Sequence, residues 1–90
     1  MVEFPLFSDV FGTKVGGIKI DGEKISVKYG EVSIKSSLSY LKEASIIERH
    51  TLGKIRAKIV LFDYLGDKNE FEVFMSEPNF FNLRGFLINK

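Results

Sequence analysis

The 90-residue sequence has no cysteine, no glutamine and one histidine. Without cysteine there is no disulfide, no thiolate zinc site and no thiol nucleophile, a usage that fits a reducing compartment. The histidine, His50, has no acid pair around it that makes a recognisable triad, so it reads as a surface or loop residue. The amino terminus lacks a basic leader followed by an apolar run of signal-peptide length, and no run approaches a membrane span. The expectation is a soluble, cytoplasmic chain. Lys and Arg number 13 against 12 Asp and Glu, a net charge of +1, without the global basicity of many nucleic-acid binders. Gly12, Gly16 and Gly17 do not precede a helix, which argues against a phosphate-cradling loop. Asp63, Asp67 and Asn69 surround Gly66 at a spacing that turn chemistry explains better than calcium binding. Glu70 and Glu72 share a strand face with Arg56 and Lys58 within reach, the ordinary cross-strand arrangement. No catalytic set, metal site or cofactor is expected.

What is present is apolar material for one core: 44% hydrophobic residues, including nine Phe and three Tyr, enough for a single domain over residues 1–90. Lys, Glu and Ile are abundant, a bias seen in thermophile proteins. Residues 54–75 organise the chain. Ile55, Ala57, Ile59 and Leu61 fall on one side of a strand, and Phe71, Val73 and Met75 on one side of the next. Bringing both sets to one face requires an odd number of connecting residues, about three or five, around Gly66 and Asp67.

Earlier in the chain, residues 2–11 are apolar on no single period and are interrupted by Pro5. They read as an edge strand or an irregular lead-in over residues 1–15, ahead of strands over residues 16–75. Asp21-Gly22 is a turn signal. A longer connection sets Ile20 against Ile25 and Ile18 against Val27; a shorter one pairs Ile18 with Ile25. Gly30-Glu31 suits a type II′ turn and sets Tyr29 against Val32 and Val27 against Ile34, leaving Ser26, Lys28, Ser33 and Lys35 outside. Residues 36–40 are a break, with a single helical turn or a connection carrying Leu38 and Leu41 into the core. Residues 38–49 suit a helix, but the β-branched pair Ile46-Ile47 favours a strand. Ser76 is a good cap, Glu77 suits the helix dipole and Pro78 the first turn, so a helix is expected over Glu77–Ile88. Its stripe is Phe80, Leu83 and Leu87, widened by Phe81, Phe86 and Ile88. Leu61, Val73, Phe80 and Leu83 are expected in the core. Gly85 weakens the helix by about 1 kcal/mol relative to Ala unless it allows close approach to the sheet.

The fold class is therefore α+β and mainly antiparallel: a bent meander of about six or seven strands capped by one carboxy-terminal helix. Over residues 16–88 this order of elements resembles the pleckstrin-homology-like (PH-like) superfold, in the half-barrel form of GRAM and bacterial or archaeal PH-like domains. The stretches that carry it are residues 18–29, residues 32–35 running through Leu38 and Leu41 to Ile47, the 54–75 hairpin and the Ser-Glu-Pro-capped helix. The resemblance implies a docking module for lipid, peptide or protein. Phosphoinositide-binding members use basic residues flanking the first hairpin loop. Here that loop, Asp21-Gly22-Glu23-Lys24, carries two acids, so specific phosphoinositide binding is not expected.

Two functional expectations follow. The first is protein–protein contact, as an adaptor or homodimer, through Val60, Phe62, Tyr64 and Phe74, which share the outer face of the 54–75 hairpin by parity. The helix or residues 2–11 covering that face internally is the competing arrangement. The second is nucleic-acid binding on a small open barrel, with Lys19, Lys28, Lys35, Arg56 and Lys58 tracking phosphates and Tyr29 or Phe62 stacking bases. Residues 14–58 hold ten Lys or Arg against five acids, for which solvated strand faces are the simplest account. Net charge places docking first.

Overall fold

Apolar and polar side chains alternate along β2 (Lys14–Asp21), β3 (Lys24–Tyr29) and β4 (Val32–Ser37). Ile18, Ile20, Ile25 and Val27 are buried, whereas Lys19, Lys24, Lys28 and Lys35 are exposed. The structure, a computed structural model, describes residues 1–9 and 11–88. Ile20 stands opposite Ile25, Ile18 opposite Val27 and Tyr29 opposite Val32, so the longer of the two connections at Asp21 sets the register. Both tight turns place a positive-φ glycine first, Gly22 at 62° and Gly30 at 63°, as a type II′ turn requires.

The lead-in is not an edge. β1 (Val2–Phe7) is fourth in the seven-stranded order β4-β3-β2-β1-β7-β6-β5, so strands begin at Val2 and again at Lys14, ahead of the expected residue 16. β1 pairs with β2 from Val2–Ile20 to Phe7–Lys14, but meets β7 (Lys68–Ser76) through the single pair Phe7–Phe74. Pro5 lacks an N–H and is tolerated centrally because the β7 side of β1 has no ladder at that position. Val10 of the lead-in lies outside the described residues.

The second meander is β5 (Leu41–Arg49), β6 (Lys54–Phe62) and β7, all antiparallel. Ile55 faces Met75, Ile59 faces Phe71, and the last pair, Phe62–Lys68, leaves a five-residue connection. The strand prevails over the helix for residues 41–49, preceded by one 3-10 turn, Leu38–Tyr40, with Leu38 and Leu41 both buried.

Helix α1 (Glu77–Ile88) starts where the cap predicts: the Asn79 amide donates to Ser76 Oγ at 3.3 Å. Phe80 and Leu83 are buried against β5, β6 and β7, and Phe86 and Leu87 are half-buried beside them. Phe81 does not widen the buried stripe. It is 47% exposed, because one residue beyond Phe80 is about 100° around the helix. The side chain of Ile88 lies outside the described set. Space is open where a Cβ at Gly85 would stand, so no close approach to the sheet explains that glycine.

One core draws on Phe4, Ile18 and Val27 from the first meander, Ile55, Val73 and Met75 from the second, and Phe80 and Leu83 from the helix. Two meanders joined at a single residue pair contribute to that core only if the sheet folds along the β1–β7 line. It remains open between its edges β4 and β5. There, Ser36 Oγ donates to the Phe62 carbonyl at 2.7 Å, tying the β4 edge to the end of β6. No helix among the described residues is long and apolar enough to cross a membrane.

Candidate functional site

The outer face of the β6–β7 hairpin does not carry one apolar patch. Val60 is only 4% exposed, Phe62 and Phe74 are half-buried, and Tyr64, beyond the strand end, is 64% exposed. Phe74 lies opposite Arg56 and Val60 opposite Glu70, with the Lys58–Glu72 row between them. Diagonal ion pairs fill that middle: Arg56 with Glu72, and Lys58 with Glu70 at 3.5 Å. The Glu70 carboxyl is held below the usual carboxylate range by its hydrogen bond from Lys68, then by the Lys58 and Lys68 charges. Phe74 packs on His50, ring centroids 5.3 Å apart, and the neighbouring Phe7 ring carries Lys54 Nζ at 5.0 Å. His50 Nε2 comes within 2.5 Å of Glu48 Oε1 without hydrogen-bond alignment, and this contact does not extend to a triad. Strand parity placed the four apolar residues on one side; charged pairs divide them.

The five expected basic residues also separate. Arg56 and Lys58 are occupied by Glu72 and Glu70. Lys19, Lys28 and Lys35 share the outer face of β2, β3 and β4. On that face Ser26 stands opposite Lys19 on one side and opposite Lys35 on the other, with Lys24 and Lys28 two positions away along β3. Sheet geometry puts the flanking Cα atoms about 5 Å away across the strands and about 7 Å away along β3. Four ammonium-bearing arms thus surround one small hydroxyl.

The floor between them is low because its side chains are small. Gly17 and Ser33 both stand opposite Lys28. A Cβ on Gly16 would stand 1.8 Å from the Lys28 carbonyl oxygen, so β2 approaches β3 more closely than any side chain allows. The result is a shallow cleft of about 400 Å³ whose lining includes Lys14, Gly16, Gly17 and Lys28. It shares Lys19 and Ser26 with a second, of about 380 Å³, that includes Lys24, Lys35 and Tyr64. Tyr64 also lines a third, of about 350 Å³, with Tyr40, Lys42 and Phe62. Shared lining residues set the three in series as a track from the lysine cradle to the β6–β7 tip, where Tyr40 and Tyr64 meet edge to face at 5.9 Å.

Among the described residues, none of Lys14, Lys19, Lys24, Lys28, Lys35 and Lys42 is in an ion pair, whereas every cation of β6 and β7 has a carboxylate or ring partner. Glu3, Asp21 and Asp63 line the track. Asp63 is committed to its own turn, accepting from the Leu65 and Asp67 amides at 2.9 Å each. No three His, Cys, Asp or Glu side chains among the described residues are grouped to hold a metal ion.

No protein-family model matches the chain, and no curated protein matches it significantly.

Of the expected stacking residues, Phe62 lines the track, but Tyr29 does not. Tyr29 stands opposite Gly16 and Val32 and packs against the core, because its parity is that of Ile25 and Val27. Four track residues escaped the sequence reading. Lys24 was legible, since it continues the alternation of Ser26 and Lys28 by one step. Lys14 required β2 to start two residues before the expected position. Tyr40 and Lys42 required knowing that the β6–β7 tip folds against the 3-10 turn, which no local pattern encodes.

Proposed function

We propose that the protein is a non-catalytic docking module, PH-like in fold, that holds an anionic partner on the outer face of β1–β4. The observation that carries this is the partition of charge: six lysines outside any ion pair, against the three acids Glu3, Asp21 and Asp63, line one chain of clefts, while the cations of β6 and β7 are engaged at home. Like charges gathered over a low-dielectric sheet focus a positive potential that the net charge of +1 conceals. An adaptor or dimer contact through the β6–β7 face has weaker support, since ion pairs occupy its centre. The PH-like reading rests on two antiparallel meanders that share a core with a carboxy-terminal helix. The proposed surface is the outer sheet face, which takes in Asp21 and Lys24 at the base of the first hairpin loop.

The test compares retention of long-chain polyphosphate by the wild type, Lys19→Ser with Lys35→Ser, and Arg56→Ser with Lys58→Ser. The first pair is expected to lose about tenfold or more in affinity and to flatten the salt dependence, because each lost phosphate contact removes about 0.7 to 0.9 from the log–log slope. The second pair is expected to bind like the wild type. Equal loss in both pairs would refute the assignment to the β1–β4 face.

A further inference from the structure

The track has two chemically different ends, and a ligand that suits only the lysines leaves the other end unused. Resting on the reading above, we infer that the anionic partner is a single-stranded nucleic acid, its phosphates held around Ser26 and a base stacked at Tyr64 and Tyr40. The continuity of the surface supports this: Tyr64 lines both the lysine-bearing second cleft and the aromatic third one. The two rings are open to solvent, Tyr64 at 64% and Tyr40 at 38%. Their edge-to-face arrangement holds two aromatic rings together at the hairpin tip. Such exposed rings next to unpaired cations are what base stacking and phosphate tracking use together.

The alternatives fit less of the surface. A duplex hides its bases and is read by a helix or ribbon entering a groove, whereas this face is a broad sheet with a low glycine and serine floor. An acidic peptide answers the lysines but brings no planar group to the tyrosines. A compact polyphosphate fills the cradle around Ser26 and stops short of Tyr64. Four lysines around Ser26 predict a single-strand salt slope of about −3, from about 0.7 released counterions per phosphate contact.

The test uses the full chain and fluorescent single strands of about ten nucleotides, thymidine and uridine runs, which fall within the range of single-strand site sizes. Beside them are titrated a duplex of the same length, inorganic polyphosphate of matched charge and a polyglutamate peptide. A single strand of either sugar is expected to bind more tightly than all three. Tyr64→Ala with Tyr40→Ala should weaken single-strand binding about tenfold or more and leave polyphosphate binding unchanged, while Tyr64→Phe retains it. A thermal melt of each variant establishes that the fold is kept. If polyphosphate binds as well as the single strands and the tyrosine variant is silent, this inference fails while the lysine docking face stands. Tighter binding of polyglutamate would replace the nucleic acid by an acidic protein. If polyphosphate, single strands and polyglutamate all fail to bind, the docking face itself is refuted.

Discussion

At the scale of single residues, two glycines make opposite demands. A Cβ on Gly16 would meet the Lys28 carbonyl oxygen at 1.8 Å, and backbone cannot swing aside as a flexible side chain does, so Gly16→Ala is expected to cost about 1–3 kcal/mol or more. Gly85 has open space where its Cβ would go, so Gly85→Ala should add about 0.5–1 kcal/mol of helix stability. Urea melts of both variants check the pair; a Gly16→Ala that is not destabilised would overturn the close approach of β2 to β3, and a destabilised Gly85→Ala would overturn the helix argument. Leu52 is a third case. With φ at 62° beside Gly53 at 70°, it holds the first central position of a type I′ turn, closed by the Lys54 amide on the Thr51 carbonyl at 3.3 Å. An L-residue with a bulky side chain pays about 1–2 kcal/mol there, and Asn is far better tolerated. Leu52→Asn should therefore raise the melting temperature. Charge acts at this scale through Glu70, whose folded-state carboxyl lies below its ordinary value of 4.5 because Lys68 and Lys58 favour the anion. The sign follows directly: this contribution is present above 4.5 and is lost as pH falls through the lowered folded-state value. Glu70→Gln should flatten the acid limb of the stability curve and lower the neutral and alkaline side by a constant amount without changing its slope, as thermal melts followed by circular dichroism against pH would show.

At the scale of elements, helix α1 packs on the second meander, β5, β6 and β7, through Phe80 and Leu83, both fully buried. Leu83→Ala is expected to cost about 2–5 kcal/mol, and a change under about 0.5 kcal/mol in a denaturant melt would make the helix peripheral. This helix was legible because its signals are local: Ser76 caps, Glu77 and Pro78 follow, and the apolar period changes from two to near four. The β3–β4 register was legible for the same reason, since Gly30-Glu31 allows few turn geometries and the alternation on both sides agrees with one of them. The place of β1 was not. Pro5 is a local argument for an edge, but the answer depends on β7, some seventy residues later in the chain, meeting β1 at Phe7–Phe74 alone. The functional surface divides along the same line. Lys19, Lys28 and Lys35 could be placed on one face by parity, yet parity could not tell them from Arg56 and Lys58. That distinction comes from Glu70 and Glu72, which the hairpin pattern already puts within reach of Arg56 and Lys58 and which the structure shows reaching diagonally across the β6–β7 ladder.

For the whole molecule, the partition of charge sets stability against binding. Lys19 and Lys35 flank Ser26 on adjacent strands, so their backbones stand about 10 Å apart, and two unit charges at that distance repel by about 0.4 kcal/mol in water. Glu3 opposite Lys19 and Asp21 opposite Lys24 offset part of this charge, but Lys28 and Lys35 have no acid opposite them, so the unliganded face keeps a net repulsion that salt relieves within a Debye length of about 10 Å at 0.1 M. An anion bound only by the folded state would relieve it too and raise the melting temperature with concentration. Lys19→Ser with Lys35→Ser should accordingly be more stable than the wild type at low ionic strength, by a few tenths to about 1 kcal/mol, and the difference should close by about 0.5 M salt. The same double substitution is expected to abolish most anion binding, so stability and docking move in opposite directions from one change. A purely structural role for these lysines reverses the first sign. If their aliphatic stems cover the sheet more than their charges repel, the variant loses stability at every salt concentration, and melts at two ionic strengths distinguish the two cases.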